Sequence, residues 1–150
     1  MFKKDKFNER ILQELKRNGR IANAELADKV GLSPSACLRR VQELEQAGVI
    51  KGYRAILDSA KLDIGFIAYV AIGLRDHSTS SQHAFEQALM PIEAVTECHN
   101  VTGSYEYLLR IETRDINSYK KVHADVLGAI PQVSMIETHV VMDSAKDNRH

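Results

Sequence analysis

The stretch 23–49, NAELADKVGLSPSACLRRVQELEQAGV, decides the architecture of the front of this chain. It reads as two short helices joined by a tight turn at Val30-Gly31-Leu32-Ser33-Pro34. Gly31 supplies the positive φ that ends the first helix. Leu32 is the apolar residue of the turn and plugs the angle between the helices. Ser33 caps the second helix through its hydroxyl, and Pro34 suits the first helical position, where its missing N–H costs nothing. Two such helices around a short glycine-containing turn form the helix-turn-helix pattern.

The second helix divides by face. Cys37, Val41 and Leu44 share one side at helical spacing, with Leu38 at its edge. That side packs on the first helix and on the helix before it. Ser35, Ala36, Arg39, Gln42 and Glu43 lie opposite, and Arg40 stands at the border. Small residues at 35 and 36 let the helix start approach a groove closely, and arginine is the residue type best suited to guanine edges and phosphates. A charged face alone describes a solvated surface equally well. The capped turn, and the segment that follows the helix, tip the reading toward duplex DNA. The expected DNA contacts are Ser33, Pro34, Ser35, Ala36, Arg39, Arg40, Gln42 and Lys51.

Working outward, residues 5–17 read as a helix, with Phe7, Ile11, Leu12 and Leu15 on one stripe, Asp5 as its cap and Asn18-Gly19 as its stop. Asn23 is expected to cap the next helix, whose Leu26, Ala27 and Val30 face inward, and Ile21 fills the bend. After Gly48, residues 49–57 (VIKGYRAIL) are rich in strand formers. Ile50, Tyr53 and Ile56 are expected to pack, with Lys51 and Arg54 outside. A strand directly after a reading helix is the wing of a winged helix. It also reads as a linker strand, or as one that pairs with its own copy in a second subunit. The polar run 58–63 (DSAKLD) marks a boundary: residues 1–57 form a winged helix-turn-helix DNA-binding domain, 58–64 a linker, and 65–150 a second domain.

That second domain alternates cleanly. Residues 66–74 (FIAYVAIGL) form a strand that is apolar on both faces. Residues 81–90 form a helix with Phe85, Ala88 and Leu89 inward, closed by Pro91. Residues 95–102 are a strand, Gly103-Ser104 a turn, and 105–112 its hairpin partner. Asp115 caps a helix with a stripe of Ile116, Tyr119, Val126, Leu127 and Ile130, which Pro131 ends. Residues 133–142 are the last strand. The order β-α-β-β-α-β is the ferredoxin-like unit, so the fold class is α+β. One sheet face lacks helices in that topology, and the apolar alternation of 66–72 makes it an exposed apolar face that calls for a partner. A second copy related by a two-fold axis is the economical partner, and it would present two reading helices to two half-sites.

The formal net charge is zero, but its distribution is not even: residues 1–60 carry +4 and residues 61–150 carry −4. A basic front and an acidic back imply separate duties, with phosphate attraction in front. The two cysteines, Cys37 and Cys98, offer no disulfide framework and fit a reducing compartment. No apolar run is long enough to span a bilayer and the start MFKKDKFNER has no hydrophobic signal core, so a soluble cytoplasmic protein without membrane contact is expected. The six histidines all fall in the back half, none forms an i,i+4 helical pair, and no CxxC occurs, so no metal site is expected. No catalytic constellation, phosphate loop or nucleophile elbow stands out, and no organic cofactor is expected.

Three stretches together resemble the leucine-responsive regulator/AsnC (feast/famine) family of transcription factors: ILQELKRNGRIANAELADKVGLSPSACLRRVQELEQAGVIKGY, ECHNVTGSYEYLLRIETRDINSYKKV, and THVVM near the end. They look closest to its leucine-responsive branch. The resemblance runs from about residue 5 to 143. It implies a winged helix that binds and bends loosely palindromic, AT-rich DNA. It implies a ferredoxin-like domain that forms a homodimer and assembles to a tetramer or octamer. It further implies an amino-acid effector, leucine or methionine, bound between dimers. The family's effector loop usually reads Gly-Asp-Tyr/Phe-Asp, and here it is Gly103-Ser104-Tyr105-Glu106. On that basis Gly103 allows close approach, Thr102 and Ser104 donate to the effector carboxylate, Glu106 holds its ammonium, and Tyr105 and His139 complete the site. Ser104 and Glu106 both depart from the usual aspartates, and the added methylene at Glu106 displaces that carboxylate by about one bond. Without the resemblance, Gly103 is a hairpin turn. Two other functions share this architecture: a sirohaem-decarboxylase-like enzyme, against which the acidic back half argues, and an effector-free DNA-compacting protein.

Overall fold

The computed structural model describes residues 4–147; residues 1–3 and 148–150, the latter including His150, lie outside that range. The described chain separates into two compact units between Ala55 and Ile56.

The front unit holds α1 (Lys6–Arg17), α2 (Asn23–Val30) and α3 (Pro34–Gln46). Asp5 starts α1, its carboxylate accepting from the Phe7 and Asn8 amides at 3.1 and 3.0 Å. Ile11, Leu26, Ala27, Val30, Cys37 and Leu44 make the buried core, with Leu32 and Ile21 packed against it. Gly31 takes φ 76°, and the Leu32 and Gly31 amides close back on the Ala27 and Asp28 carbonyls at 2.9 and 3.3 Å. This is the paired-bond helix ending that requires a left-handed residue. The Ser33 hydroxyl accepts from the Ala36 amide at 3.3 Å, with Pro34 at the first helical position.

Two expectations fail here. Asn23 does not cap α2. Ala22 occupies the cap position with no side-chain bond, and Asn23, already inside the helix, donates instead to the Pro34 carbonyl at 2.8 Å. That bond ties the start of α2 to the start of α3. Residues 49–57 form no strand. The Val49 and Ile50 amides still close α3 on the Leu44 carbonyl, and from Lys51 to Asp58 the backbone has no regular structure. Tyr53, Ile56 and Leu57 are each more than half exposed. Strand-forming side chains do not make a strand without a neighbour to satisfy its backbone, and no strand among the described residues pairs with this segment.

In the back unit a short 3-10 turn (Ser59–Leu62), started by Asp58, leads to β1 (Phe66–Leu74), α4 (Thr79–Leu89), β2 (Val95–Asn100), β3 (Tyr107–Thr113), α5 (Ile116–Lys121) and β4 (Val133–Val140). After α5 the helix widens into a π turn (Val122–Val126) and tightens into a 3-10 turn (Leu127–Ala129). The sheet is antiparallel, in the order β2-β3-β1-β4. Alternate residues of the central strands β1 and β3 meet Phe85 and Leu89 of α4 and Tyr119 and Leu127 from the second helical stretch, so both helices cover one face. Phe66 stacks on Tyr119 with ring centres 5.0 Å apart, and Phe85 on Tyr107 at 4.7 Å.

α4 begins two residues ahead of the expected 81, because Ser78 is the cap and accepts from the Ser81 amide at 3.2 Å. Ala88 is exposed, as is Ile116. The hairpin turn spans 101–106 rather than two residues, since β2 ends at Asn100 and β3 starts at Tyr107. The larger correction concerns the uncovered sheet face, which is not the apolar surface that β1 alone suggested. Register puts Glu112 opposite Ile67, Arg110 and His139 on either side of Tyr69, and Glu137 beside Ala71. Arg110 is only 4% exposed. Its Nε donates to Glu112 at 2.8 Å, its Nη1 to the Tyr69 hydroxyl at 3.2 Å, and its guanidinium lies 5.6 Å from the centre of that ring. The polar residues come from the neighbouring strands, so no single strand read alone reveals them.

At Gly31 nothing lies within 4 Å of an added Cβ, so only the backbone conformation resists substitution there. Gly31→Ala should lower stability by about 1 kcal/mol, read as a lower urea midpoint at unchanged m, and Gly31→Asn should cost less because asparagine tolerates the left-handed region.

Candidate functional site

The start of α3 is an exposed platform. Ser33, Pro34 and Ser35 are exposed and Ala36 is half-buried. No acidic residue lies in the first turn of α3, so the positive end of its dipole stands unneutralised, as phosphate binding needs. One turn on, Arg39 projects with two-thirds of its side chain exposed, held by Glu43 at 2.9 Å in an i,i+4 pair. Gln42 is exposed beside it. Lys51 is exposed beyond the C-terminal end of α3.

Arg40 is placed differently from its neighbour. Its Nη1 donates to both Asp5 oxygens, at 2.9 and 3.2 Å, and to Asn8 Oδ1 at 3.0 Å. The guanidinium also sits 5.4 Å from the centre of the Phe7 ring. These bonds fasten α3 to α1. Arg10, which the sequence did not single out, closes α2 in a similar way, donating to the Lys29 carbonyl at 2.6 Å. Neither role has a local sequence signal, because the partners lie about twenty or more positions away.

In the back unit, the hairpin tip carries Thr102, Gly103 and Ser104, all exposed. Gly103 has φ 127°, and no atom lies within 4 Å of where a Cβ would stand. Tyr105 and Glu106 are partly buried at the base of the hairpin. The Glu106 amide donates to the Ile72 carbonyl at 3.0 Å, extending the β3 ladder by one step. One carboxylate oxygen of Glu106 accepts from the Leu74 amide at 2.7 Å, and the other lies 2.6 Å from His77 Nδ1. The sequence did not single out His77. It is 29 positions from Glu106, and only the extra reach of a glutamate hints at such a contact.

His139 stands apart from these residues. It lies on β4 opposite Tyr69, with Nε2 3.5 Å from Glu137. Tyr69 and Leu74 are about 16 Å apart along β1, so within one chain His139 does not reach the hairpin.

A capped reading helix on a three-helix unit, followed by an open-faced ferredoxin-like unit, defines a DNA-binding regulator with a separate ligand domain. The sequence matches two family descriptions, "Winged helix-turn-helix DNA-binding" over residues 4–51 and "Lrp/AsnC ligand binding domain" over residues 67–150. The leucine-responsive regulatory proteins of Escherichia coli and Klebsiella pneumoniae are each 38% identical over 144 residues, covering 96% of this chain and 88% of theirs. Among solved structures, a transcriptional regulator of Neisseria meningitidis in complex with L-methionine superposes with a TM-score of 0.93 at 32% identity, covering 97% of this chain and 94% of that one. AsnC of Escherichia coli superposes at 0.89 with 27% identity and 97% of both chains covered. The chain belongs to the Lrp/AsnC family of DNA-binding transcriptional regulators. No helix among the described residues is long and apolar enough to cross a membrane.

The Asp5 carboxylate is held below its ordinary value of 3.8, first by the Asn8 amide and then by Arg40. A carboxyl depressed on folding stabilises the fold above its unfolded pKa, and the gain disappears as pH falls through the lower folded value. The difference in urea midpoint between the native chain and Asp5→Asn should therefore be full at neutral pH and shrink below about pH 4. A difference that does not vary with pH would show that the ionic part of this contact contributes nothing.

Proposed function

We propose that this protein is a regulator whose DNA affinity and assembly respond to an amino acid, leucine or methionine. The supporting observation is the exposed, acid-free start of α3 beside Arg39. In this reading Ser33 and Ser35, at the positive end of the helix dipole, bind phosphate. Pro34 and Ala36 permit close approach, Arg39 and Gln42 meet base edges, and Lys51 steadies the flank. Arg40 acts indirectly, by fixing the pose of α3. The front unit, taken as residues 1–57, reads DNA, and residues 58–64 join it to the ligand domain.

The ligand site is the hairpin 102–106. Thr102 and Ser104 donate to the effector carboxylate at the open Gly103 tip, Tyr105 borders it, and Glu106 offers a carboxylate to the ammonium. His139 would have to come from another copy. Methionine is favoured by the complex of the Neisseria relative, and leucine by the names of the Escherichia and Klebsiella relatives. The working species is a cytoplasmic homodimer that assembles to a tetramer or octamer. The uncovered sheet face and the unpaired segment 51–58 are the surfaces for that association.

Arg39→Ala should reduce discrimination between an operator selected from random duplexes and unrelated DNA by roughly 1–3 kcal/mol. An equal loss on both sequences, in titrations at fixed salt, would remove Arg39 from base reading. For the ligand domain, a thermal-shift screen of the twenty amino acids should single out leucine or methionine, because a ligand that binds only the folded form raises the midpoint. Gly103→Val should abolish that shift while leaving DNA binding intact, and a surviving shift would place the effector elsewhere.

A further inference from the structure

We infer that His77 is an internal competitor for the effector ammonium, one that sets how much amino acid the protein needs before it responds. This inference rests on the reading of hairpin 102–106 as the ligand site.

The two oxygens of Glu106 differ in kind. One is fixed by the Leu74 amide at 2.7 Å, a bond to backbone at the end of a central strand. The other is held, among the described residues, by the His77 imidazole at 2.6 Å. The Glu106 side chain is 16% exposed, whereas that of His77 is 80% exposed. Removing the imidazole from Glu106 therefore disrupts almost no packing, while removing the Leu74 bond would orphan a strand amide. The exchangeable position is the one that an ammonium would take, since both groups present N–H to a carboxylate oxygen.

The backbone beneath His77 is firmly held. Asp76 accepts from the Ser78 amide at 2.9 Å and from the Ser81 hydroxyl at 2.7 Å, and Ser78 caps α4. The ring can therefore swing out about its side-chain torsions without unwinding α4. An amino acid that binds here must displace the ring, and its apparent affinity falls by the fraction of time the oxygen is already occupied. Ligands that carry no donor on the α-carbon meet no such competition, because they cannot use that oxygen.

The test is calorimetric titration of the full chain with L-methionine, L-leucine and the deamino analogue of methionine, which has no donor on its α-carbon. His77→Ala should tighten binding of the effector amino acid by about three- to tenfold and leave the deamino analogue unchanged. His77→Lys, which places a permanent ammonium at the same position, should weaken amino-acid binding. A lost structural role would shift all ligands alike, and melting curves of both variants would show it. Unchanged amino-acid affinity in both variants, with binding still abolished by Gly103→Val, would overturn the inference and leave the hairpin site standing. No binding of either amino acid to any variant, or binding that survives Gly103→Val, would overturn the hairpin reading together with the inference.

Discussion

The contact between Arg40 and Asp5 decides which arginine of α3 faces outward. Arg39 and Arg40 are adjacent, so their side chains leave the helix about 100° apart. Arg40 is bonded to Asp5 and Asn8, and each side chain of the ion pair is about one-fifth exposed. The Asp5 carboxylate also starts α1. A single group therefore sets where one helix begins and how another is rotated against it. Among the described residues, this unit's small core of six buried side chains and their partly buried neighbours is supplemented by the Arg40–Asp5 contact in holding α3 against α1. With Arg40 drawn inward, Arg39 is left on the open side, restrained only by a solvent-exposed pair that a phosphate or base can replace at little cost.

The back unit handles its buried charge in a related way. Arg110 is almost inaccessible in a single chain, although it lies on the sheet face that no helix covers. Glu112, the Tyr69 hydroxyl and the Tyr69 ring already replace most of its water. Covering that face with another surface therefore adds little further desolvation of the guanidinium. A bare apolar face would adhere to any greasy surface, whereas a central charged network rejects a partner that leaves its polar groups unmatched.

What the sequence disclosed follows the range over which each rule acts. The left-handed Gly31, the Ser33 cap, the Asp5 and Asp115 caps and the strand alternation depend on residues within about four positions, and each was legible. The apolar periods of β1 and α1 were legible for the same reason. Asn23 was misread because its type suits a cap, while the Pro34 carbonyl eleven positions away offered a competing bond. Residues 49–57 have strand composition but lack the partner that would make a strand. The polar character of the open face depends on register between strands, and the inward turn of Arg40 on a carboxylate 35 positions away. The Glu106–His77 contact belongs to the same class. Side chains that meet across the fold leave no periodic trace, so the sequence showed a hairpin around Gly103 but not the contacts of its Glu106 carboxylate.

That carboxylate shows what a glutamate at position 106 does for the fold. The β1–β3 ladder ends at the Ile72–Tyr107 pair, apart from the one extra bond from the Glu106 amide. Beyond it the hairpin turns away, and the Leu74 amide faces a place where a strand carbonyl would otherwise stand. Leu74 is buried, so water is a poor substitute. The longer side chain of Glu106 reaches back and supplies the missing acceptor. One oxygen thus completes the sheet, and only the other is left to interact outward. A residue divided in this way holds the end of a central strand with one oxygen and meets an exposed imidazole with the other. The hairpin 101–106 is accordingly anchored to β1 by the same carboxylate whose second oxygen meets the exposed His77.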